Sequence, residues 1–491
     1  MAQSPNTIKV LQQGMVSPPI GSVPTTSLPM TASDLFFSVN SCPIQWLGFY
    51  DFPHSTQNAI ETIVPSLKNS LSLALKLFFP FAGNFMLTPP PTKPYILYTD
   101  GNSIPFTVAE TLADLYHLIM FNCPRVAEDL HPFVPKLAPP RLEGNTRVFP
   151  LMALQVTIFP NLGFCVGVSF CHIVSDGITF THFMKTWASI CKNGEDYVMC
   201  LQNENSLPFY DRSLLNNMEY EKRMEPLALK VFWDLTLAQK EEHADPSHGN
   251  QVDHKYRFTF VMDGAQIERL RRWVKNQFHR NDSDQSYFST YAITCALTWV
   301  CFLKSQVDGA NTFSGDEDGL RNFFILANNR NLLENIPNTY FGNCLQPVVV
   351  PMKKKDLLGA NGIAYAAKAI GKEVWELKNT RKDLEPEKVL QDLIEASISQ
   401  TMGVAGSPKF GLYEIDFGWG RPKMMDFVHI EFGADAFSLC DMRDDKYGIQ
   451  VTLVESRAKL EHFKALLEES LRMINSAIID EKATQMGLSK Y

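Results

Sequence analysis

Several features that would assign a protein to a class at first reading are missing from this sequence of 491 residues. Its ten cysteines form no C-x-x-C pair and follow no regular spacing, so neither a disulfide framework nor a zinc site is predicted. No uncharged run of about eighteen apolar residues could span a membrane, and the first residues, MAQSPNTIKVLQQG, lack the apolar core of a secretory signal. We therefore expect a soluble, cytoplasmic protein without a metal site.

An excess of positive charge is missing as well. Lys and Arg number 45 against 53 Asp and Glu, which gives a net charge of -8 at pH 7. This balance offers no basic surface, so nucleic acid and membrane lipid are not expected partners. Motifs of several enzyme classes are also absent: there is no G-x-S-x-G elbow, H-E-x-x-H motif, Walker loop or G-x-G-x-x-G. The length predicts two domains or one very large one.

Hydrophobic periodicity predicts both helices and strands. A long helix is predicted over residues 55–85, with a kink or break at Pro65, and strands over 148–160 and 162–171. A crossover loop without periodicity is predicted over 201–226. Further elements are strands over 256–263, 322–330 and 345–352, helices over 264–277, 286–305 and 459–478, and a surface loop over 309–319. Because strands and helices mix without strict alternation, we expect α/β or α+β halves with mixed sheets.

The stretch SFCHIVSDGITFTHF, residues 169–183, contains the first candidate site. The strand predicted over 162–171 ends just before His172, and side chains at strand ends commonly reach a cleft. The apolar residues that follow repeat with a helical period, so a helix should start near Gly177 with Asp176 near its N-terminus. Taken alone, the pattern leaves a structural cap and a catalytic histidine about equally open. Of eleven histidines, only His172 has an aspartate four residues on with a glycine behind it.

A second candidate is YEIDFGWGRP, residues 413–422, in which two glycines bracket Trp419 shortly after Asp416. Glycine at both positions indicates special backbone angles or a close approach of another group. Taken alone, this motif favours a tight structural turn over a functional site.

Together, HIVSDG and DFGWG in this order resemble the plant BAHD acyltransferase family. The segments LPMTASDLFF, LKLFFPFAGNF and PLMALQVTIFPNLGFCVGVSFCHIVSDG also match the family's usual landmarks. NTYFGNC, residues 338–344, resembles the signature of the clade that acylates flavonoid and anthocyanin glycosides. Many relatives carry two successive histidines where this chain has Cys171 and His172, and the histidine retained is the one counted as catalytic.

The resemblance implies a mixed α/β fold of two similar-sized, chloramphenicol-acetyltransferase-like domains around a central solvent channel. The N-terminal domain would span 1–200 and the C-terminal domain 227–491, joined by the crossover loop over 201–226, with some strand exchange between them. Acyl-CoA, as co-substrate, would enter from one face and a phenolic glycoside from the other, and His172 would be reachable from both. No bound cofactor is implied, and a monomer is expected.

Residue roles also follow from the resemblance. His172 would be the general base on the acceptor hydroxyl, a task suited to an imidazole with a pKa near about 6.5. Asp176 would turn away from the substrate toward Arg330 and, with Gly177, keep the shape of the loop. The aspartate of DFGWG is sometimes counted as a second proton acceptor, so Asp416 is a catalytic candidate, although we expect a structural role.

The acyl donor is predicted from one residue. Relatives that transfer malonyl often have DGKT or DGRT after the aspartate, whereas this chain has DGIT, with Ile178 in place of the cation. A malonyl carboxylate in a partly dry channel needs a cation or several donors, so we expect hydroxycinnamoyl over malonyl. Trp419 should line or brace the pocket. Malonyl transfer, acylation of a non-glycosylated alcohol or amine, and a non-catalytic ligand-binding relative stay open as alternatives.

Overall fold

Three β-sheets organise the part of the chain that the computed structural model describes. The described residues are 7–37, 43–194, 196–203, 206–216, 218–238, 254–278, 288–306, 318–330, 336–379, 385–398, 400–431 and 435–485. Most of the predicted surface loop over 309–319 lies outside the described residues, so that loop stays a prediction.

Strands and helices both contribute extensively, and the fold is mixed α/β, as predicted. The strands are β1 (Ile8–Val16), β2 (Thr26–Pro29), β3 (Ile44–Asp51), β4 (Asn84–Leu87), β5 (Tyr95–Tyr98), β6 (Ile104–Thr111), β7 (Arg125–Val126), β8 (Arg141–Glu143), β9 (Thr146–Pro150), β10 (Met152–Phe159), β11 (Gly163–Phe170), β12 (Lys255–Met262), β13 (Leu320–Asn328), β14 (Leu345–Lys353), β15 (Thr401–Gly406), β16 (Met424–Phe427), β17 (Ala436–Asp441) and β18 (Ile449–Ser456). The helices are α1 (Ala32–Leu35), α2 (Thr56–Glu61), α3 (Ile63–Leu77), α4 (Leu115–Leu118), α5 (Gly177–Asn193), α6 (Asp196–Asn203), α7 (Ser213–Asn216), α8 (Glu219–Ala238), α9 (Gly264–Asn276), α10 (Thr290–Ser305), α11 (Lys354–Leu358), α12 (Gly362–Asn379), α13 (Pro386–Ile398) and α14 (Arg457–Gln485).

Each of the two larger sheets takes one strand from the other half of the chain. The first has the order β1-β6-β10-β11-β3-β16, and β16 pairs antiparallel with β3, where Phe427 lies opposite Trp46. The second has the order β14-β13-β15-β17-β18-β12-β7, in which the short strand β7 pairs with β12. A third, smaller sheet has the order β2-β5-β4-β9-β8. These exchanged strands join the two halves, while the domain boundaries drawn from the sequence stay a prediction.

Two predicted elements are divided in the structure. The helix predicted over 55–85 consists of α2 and α3, and Pro65 is the third residue of α3, where a missing N–H breaks no helical hydrogen bond. The strand predicted over 148–160 is two strands, β9 and β10, which flank Leu151 and belong to different sheets. Because the chain stays apolar through Leu151, the change of sheet leaves no mark on the periodicity.

The prediction that residues 201–226 form a loop is wrong for part of that segment. Helix α7 and the first two turns of α8 lie inside it, and α8 continues through Pro226. Met224, Ala228 and Phe232 follow one another at steps of four residues, and all three are buried. Burial of this helix face outweighs the helix-breaking effect of a proline in the interior.

The core on the first sheet positions the turn between β11 and α5. Phe180, in the first turn of α5, stacks on Phe170 at the end of β11, with 4.4 Å between the ring centroids. Farther along α5, the buried indole of Trp187 donates from its N–H to the carbonyl of Leu67 in α3 at 3.2 Å. The segment between β11 and α5 is therefore held by rigid elements on both sides.

Candidate active site

The turn between β11 and α5 contains His172. Strand β11 is buried along its whole length and ends at Phe170. The N–H of Cys171 then donates to the carbonyl of Leu151 at 2.9 Å. A single 3₁₀ turn over His172–Val174 follows, and α5 begins at Gly177. The predicted order of strand, turn and helix is present, and His172 lies directly past the strand end.

Asp176 both caps α5 and binds Arg330. Its carboxylate accepts hydrogen bonds from the N–H of Thr179 at 2.9 Å, from the Arg330 guanidinium at 2.6 and 3.2 Å, and from the N–H of Cys344 at 3.1 Å. The side chains of Asp176 and Arg330 are fully buried. Burial alone would lower the pKa of Arg330, but the charge of Asp176 raises it above the ordinary value. Because these bonds occupy both carboxylate oxygens, Asp176 stabilises the shape of the turn. It has little remaining capacity to accept a hydrogen bond from a substrate.

The segment YFGNC, residues 340–344, wraps around the same turn. The side-chain amide of Asn343 donates to the carbonyls of His172 and Ile173, at 3.0 and 3.3 Å. Arg330 donates to two carbonyls of the segment, at 3.0 and 3.1 Å. The sequence linked this motif only to a substrate class, whereas the structure places Asn343 in contact with the backbone that carries the candidate base. Asn343 is thus a site residue that sequence reasoning missed.

Asp34 supports Asn343 from the other side. It is fully buried in α1, where it forms a capping box with Thr31, and it accepts from the main-chain and side-chain N–H groups of Asn343, each at 3.0 Å. Arg212 forms a buried ion pair with the same carboxylate. The T-x-x-D spacing of a capping box was visible in the sequence. The contact with Arg212, which lies in the predicted crossover loop, was not.

The imidazole of His172 is half-buried and lies flat on the ring of Phe37, with 3.7 Å between the centroids and 8° between the planes. Its Nδ1 is buried and no described residue forms a hydrogen bond with it, so Nε2 is the nitrogen left for a substrate. Burial lowers the pKa of His172 below 6.5, although its own carbonyl, Asp176, the nearby amide of Asn343 and Asp34 act in the opposite direction. The ring is therefore neutral at pH 7 and able to accept a proton.

The first two residues of α5 differ in how strongly the structure constrains them. A Cβ at position 177 would lie 2.6 Å from the ring of Phe410, so Gly177 allows that ring to approach the helix start. Ile178 is half-buried at the next position. A charged side chain at 178 would thus have partial access to water.

The DFGWG segment forms a turn that its own aspartate closes. Asp416 accepts from the N–H groups of Gly418 and Gly420, at 2.8 and 2.9 Å, and from Lys192 at 2.6 Å. The two glycines have φ of +109° and +98°, angles that favour glycine. Burial alone would raise the pKa of Asp416, but the hydrogen bonds from Lys192, Gly418 and Gly420 outweigh it and lower the pKa. Trp419 packs edge-on against Phe164, with 5.8 Å between the ring centroids.

Asp416 and Trp419 of the DFGWG segment do not lie at the end of the sheet where His172 is found. Lys192, which binds Asp416, is in the last turn of α5, and that helix has 17 residues, a length of about 25 Å. Phe164, which contacts Trp419, is near the start of β11, about 20 Å from the far end of that strand by the rise per residue. The geometry therefore separates Asp416 and Trp419 from His172 and does not support a shared proton transfer.

The described residues contain neither a metal-binding cluster nor a membrane-spanning helix. Within the ranges given above, no group of three or more His, Cys, Asp or Glu side chains is arranged to hold a metal ion. None of the helices in those ranges is both long and apolar enough to cross a membrane.

The fold agrees with the comparisons with known proteins. Residues 7–470 match the model of the Transferase family, and the chain belongs to this family, the BAHD acyltransferases. The matching relatives are named acyltransferases, so this chain is an enzyme of that kind, with acyl-CoA as co-substrate.

Two relatives and one solved structure give the extent of the similarity. Coumaroyl-CoA:anthocyanidin 3-O-glucoside-6''-O-coumaroyltransferase 1 of Arabidopsis thaliana is 36% identical over 94% of this chain and 97% of its own length. Malonyl-coenzyme A:anthocyanin 3-O-glucoside-6''-O-malonyltransferase of Dahlia pinnata is 32% identical over 96% of this chain and 99% of its own. The crystal structure of vinorine synthase aligns over 93% of this chain and 96% of that one, with a TM-score of 0.63 and 17% identity. This last likeness shows the fold.

Proposed function

We propose that the protein transfers an acyl group from acyl-CoA to a sugar hydroxyl of a flavonoid, anthocyanin or other phenolic glycoside. Relatives that cover almost the whole chain are named for this transfer to anthocyanin glucosides. The observation that carries the proposal is the state of His172: a neutral, half-buried imidazole at a strand end, with Nδ1 buried and Nε2 left for the acceptor.

In the proposed reaction, Nε2 of His172 takes the proton of the acceptor hydroxyl as its oxygen attacks the thioester carbonyl. A tetrahedral intermediate forms, and its negative charge is on the former carbonyl oxygen. When the carbonyl re-forms, the bond from carbon to sulfur breaks and His172 returns the proton to the CoA thiolate. General base catalysis of this kind contributes about 10²–10⁴-fold.

The two cysteines at the His172 turn, Cys171 and Cys344, are not suited to form an acyl-cysteine intermediate. Burial raises the pKa of Cys171 to about 12 and that of Cys344 to about 12. Both thiols are therefore protonated at neutral pH, and the thiol form is a poor nucleophile. Direct transfer from acyl-CoA to the hydroxyl in a ternary complex remains the proposed route.

The remaining site residues have supporting roles in this proposal. Asp176, Arg330 and Gly177 maintain the turn that holds His172, through the ion pair and the close approach of a neighbouring ring. Asp416 closes the DFGWG turn, and Trp419 packs against β11 far from the reacting atoms. Neither is assigned a proton.

The proposed donor is a hydroxycinnamoyl-CoA, with malonyl-CoA as the second candidate. Ile178 supplies no charge for a malonyl carboxylate, and an unpaired buried charge is costly. Among the relatives, one named for coumaroyl transfer is 36% identical and one named for malonyl transfer is 32% identical. This difference in identity is small, so the preference for a hydroxycinnamoyl donor rests on Ile178.

The purified chain should be incubated with coumaroyl-, caffeoyl- and malonyl-CoA against flavonoid glucosides, the matching aglycones and an aromatic amine. CoA release and product mass are the readouts. We expect acylated glucoside, fastest with a hydroxycinnamoyl donor, and no product from the aglycones. Products only from aglycones or the amine would contradict the acceptor class. No CoA release with any pair would favour a non-catalytic ligand-binding protein.

The nine described cysteines are free. This supports the further proposal that the enzyme works in a reducing compartment, the cytoplasm. Action as a monomer remains a prediction.

A further inference from the structure

A second histidine, His429, lies at the same end of the first sheet as His172. Strands β11 and β16 both run antiparallel to β3, which lies between them. Both strands therefore finish at the same end of the sheet. His172 is two residues past the end of β11, and His429 is two residues past the end of β16. Two strand spacings amount to about 10 Å. The two histidines thus lie near each other at this end of the sheet, close enough to interact electrostatically.

The turn that carries His429 is held rigidly. Arg257 is fully buried and donates to the carboxylate of Asp426 at 2.7 Å and to the carbonyls of Phe427 and Val428 at 3.2 and 3.0 Å. These three acceptors immediately precede His429. Its position is therefore set before any substrate binds, as a group that stabilises a transition state requires.

The hydrogen bonding of His429 assigns its tautomer. The backbone N–H of Gln45 donates to Nδ1 of His429 at 3.4 Å, so Nδ1 is an acceptor and the proton is on Nε2. No described residue accepts from that Nε2–H, and the residue is half-buried. Burial lowers the pKa of His429 to about 4, and the positive charge of Arg257 adds to the lowering. The ring is a neutral donor at working pH.

We propose that Nε2–H of His429 donates the hydrogen bond that stabilises the oxyanion of the tetrahedral intermediate, across the substrate from His172. The inference rests on the proposed acyl transfer. During the attack, His172 gains the proton of the hydroxyl and negative charge moves to the carbonyl oxygen, while His429 keeps its own proton throughout. A neutral imidazole suits this position, since a second cation would oppose protonation of His172.

Substitution of His429 by Phe keeps a ring beside Phe427 and removes the donor. Loss of one oxyanion donor typically costs about 10²–10³-fold in kcat, so we expect His429→Phe to lower kcat by about 10²-fold with KM for both substrates nearly unchanged. His429→Gln, whose amide nitrogen reaches about as far as Nε2, should recover much of that loss. His117→Phe, an exposed site on α4, is the matched control and should retain wild-type kcat.

A kcat within a few-fold of wild type for folded His429→Phe would overturn the inference. A variant in which only KM changes would overturn it as well. If the Phe variant does not fold, judged by its melting temperature, the pair His429→Gln and His429→Asn decides. The Asn amide is too short to reach the Nε2 position, so the Gln variant should have the higher kcat, and equal values would refute the donor role. An inactive wild type would count against the proposed function, whereas an active one with an active Phe variant counts only against His429.

Discussion

Replacement of Asp176 by Asn removes one charge from a fully buried ion pair. The carboxylate accepts from Arg330 twice, from Thr179 and from Cys344, whereas an amide has one oxygen and directs an NH₂ at the remaining donors. Both side chains of the pair are inaccessible to water. Breaking such a pair from one side costs about 3–5 kcal/mol of the free energy of unfolding. We expect the free energy of unfolding to fall by that amount. We also expect a lower kcat, because the ion pair that holds the His172 turn is broken.

Urea unfolding followed by tryptophan fluorescence, and melting temperature, would measure the effect. Asp176→Asn, Arg330→Gln and the double variant should be compared at one protein concentration. The double variant should lose less stability than the two single variants added together, since no uncompensated charge stays buried. An Asp176→Asn enzyme with wild-type stability and low activity would refute this reasoning and assign Asp176 a direct chemical role.

Three further predictions concern pH, the DFGWG turn and the donor. Because burial lowers the pKa of His172 below 6.5, the base form persists as pH falls to that value, and kcat/KM should decline only in more acid solution; an acid limb with its midpoint above pH 6.5 would contradict this. Asp416→Asn should lower the melting temperature while kcat stays within a few-fold, and a loss of about 10²-fold would instead mark Asp416 as a proton-transfer residue. Ile178→Arg should narrow the gap in kcat/KM between coumaroyl-CoA and malonyl-CoA, and a wild type that strongly prefers malonyl-CoA would refute the donor preference.

The His172 turn could be predicted from the sequence because its signals are local. The apolar period changes from two to that of a helix within one short stretch, and Asp176 stands where a helix cap is expected. The strand, the turn and the helix are each determined by residues that are neighbours in sequence. All three are therefore present in the structure as predicted. The role of the turn in an acyltransferase required the wider set of motifs.

The residues that hold this turn could not be predicted in the same way. Asp34, Asn343 and Arg212 are far apart in sequence, and only the packing of distant segments brings them together. His429 has no motif around it, and its position depends on β16 crossing into the first sheet. The course of α8 through Pro226 likewise depends on burial of one helix face, which local propensity opposes.

The most direct test of the account is the activity of His172→Ala with coumaroyl-CoA and a flavonoid glucoside. We expect kcat to fall by at least about 10²-fold, while melting temperature and the Kd for acyl-CoA, measured by calorimetry, stay close to wild type. Such a result would mean that only the base has been lost. Turnover within a few-fold of wild type, in a folded variant that binds acyl-CoA normally, would contradict the assignment of His172 as the general base.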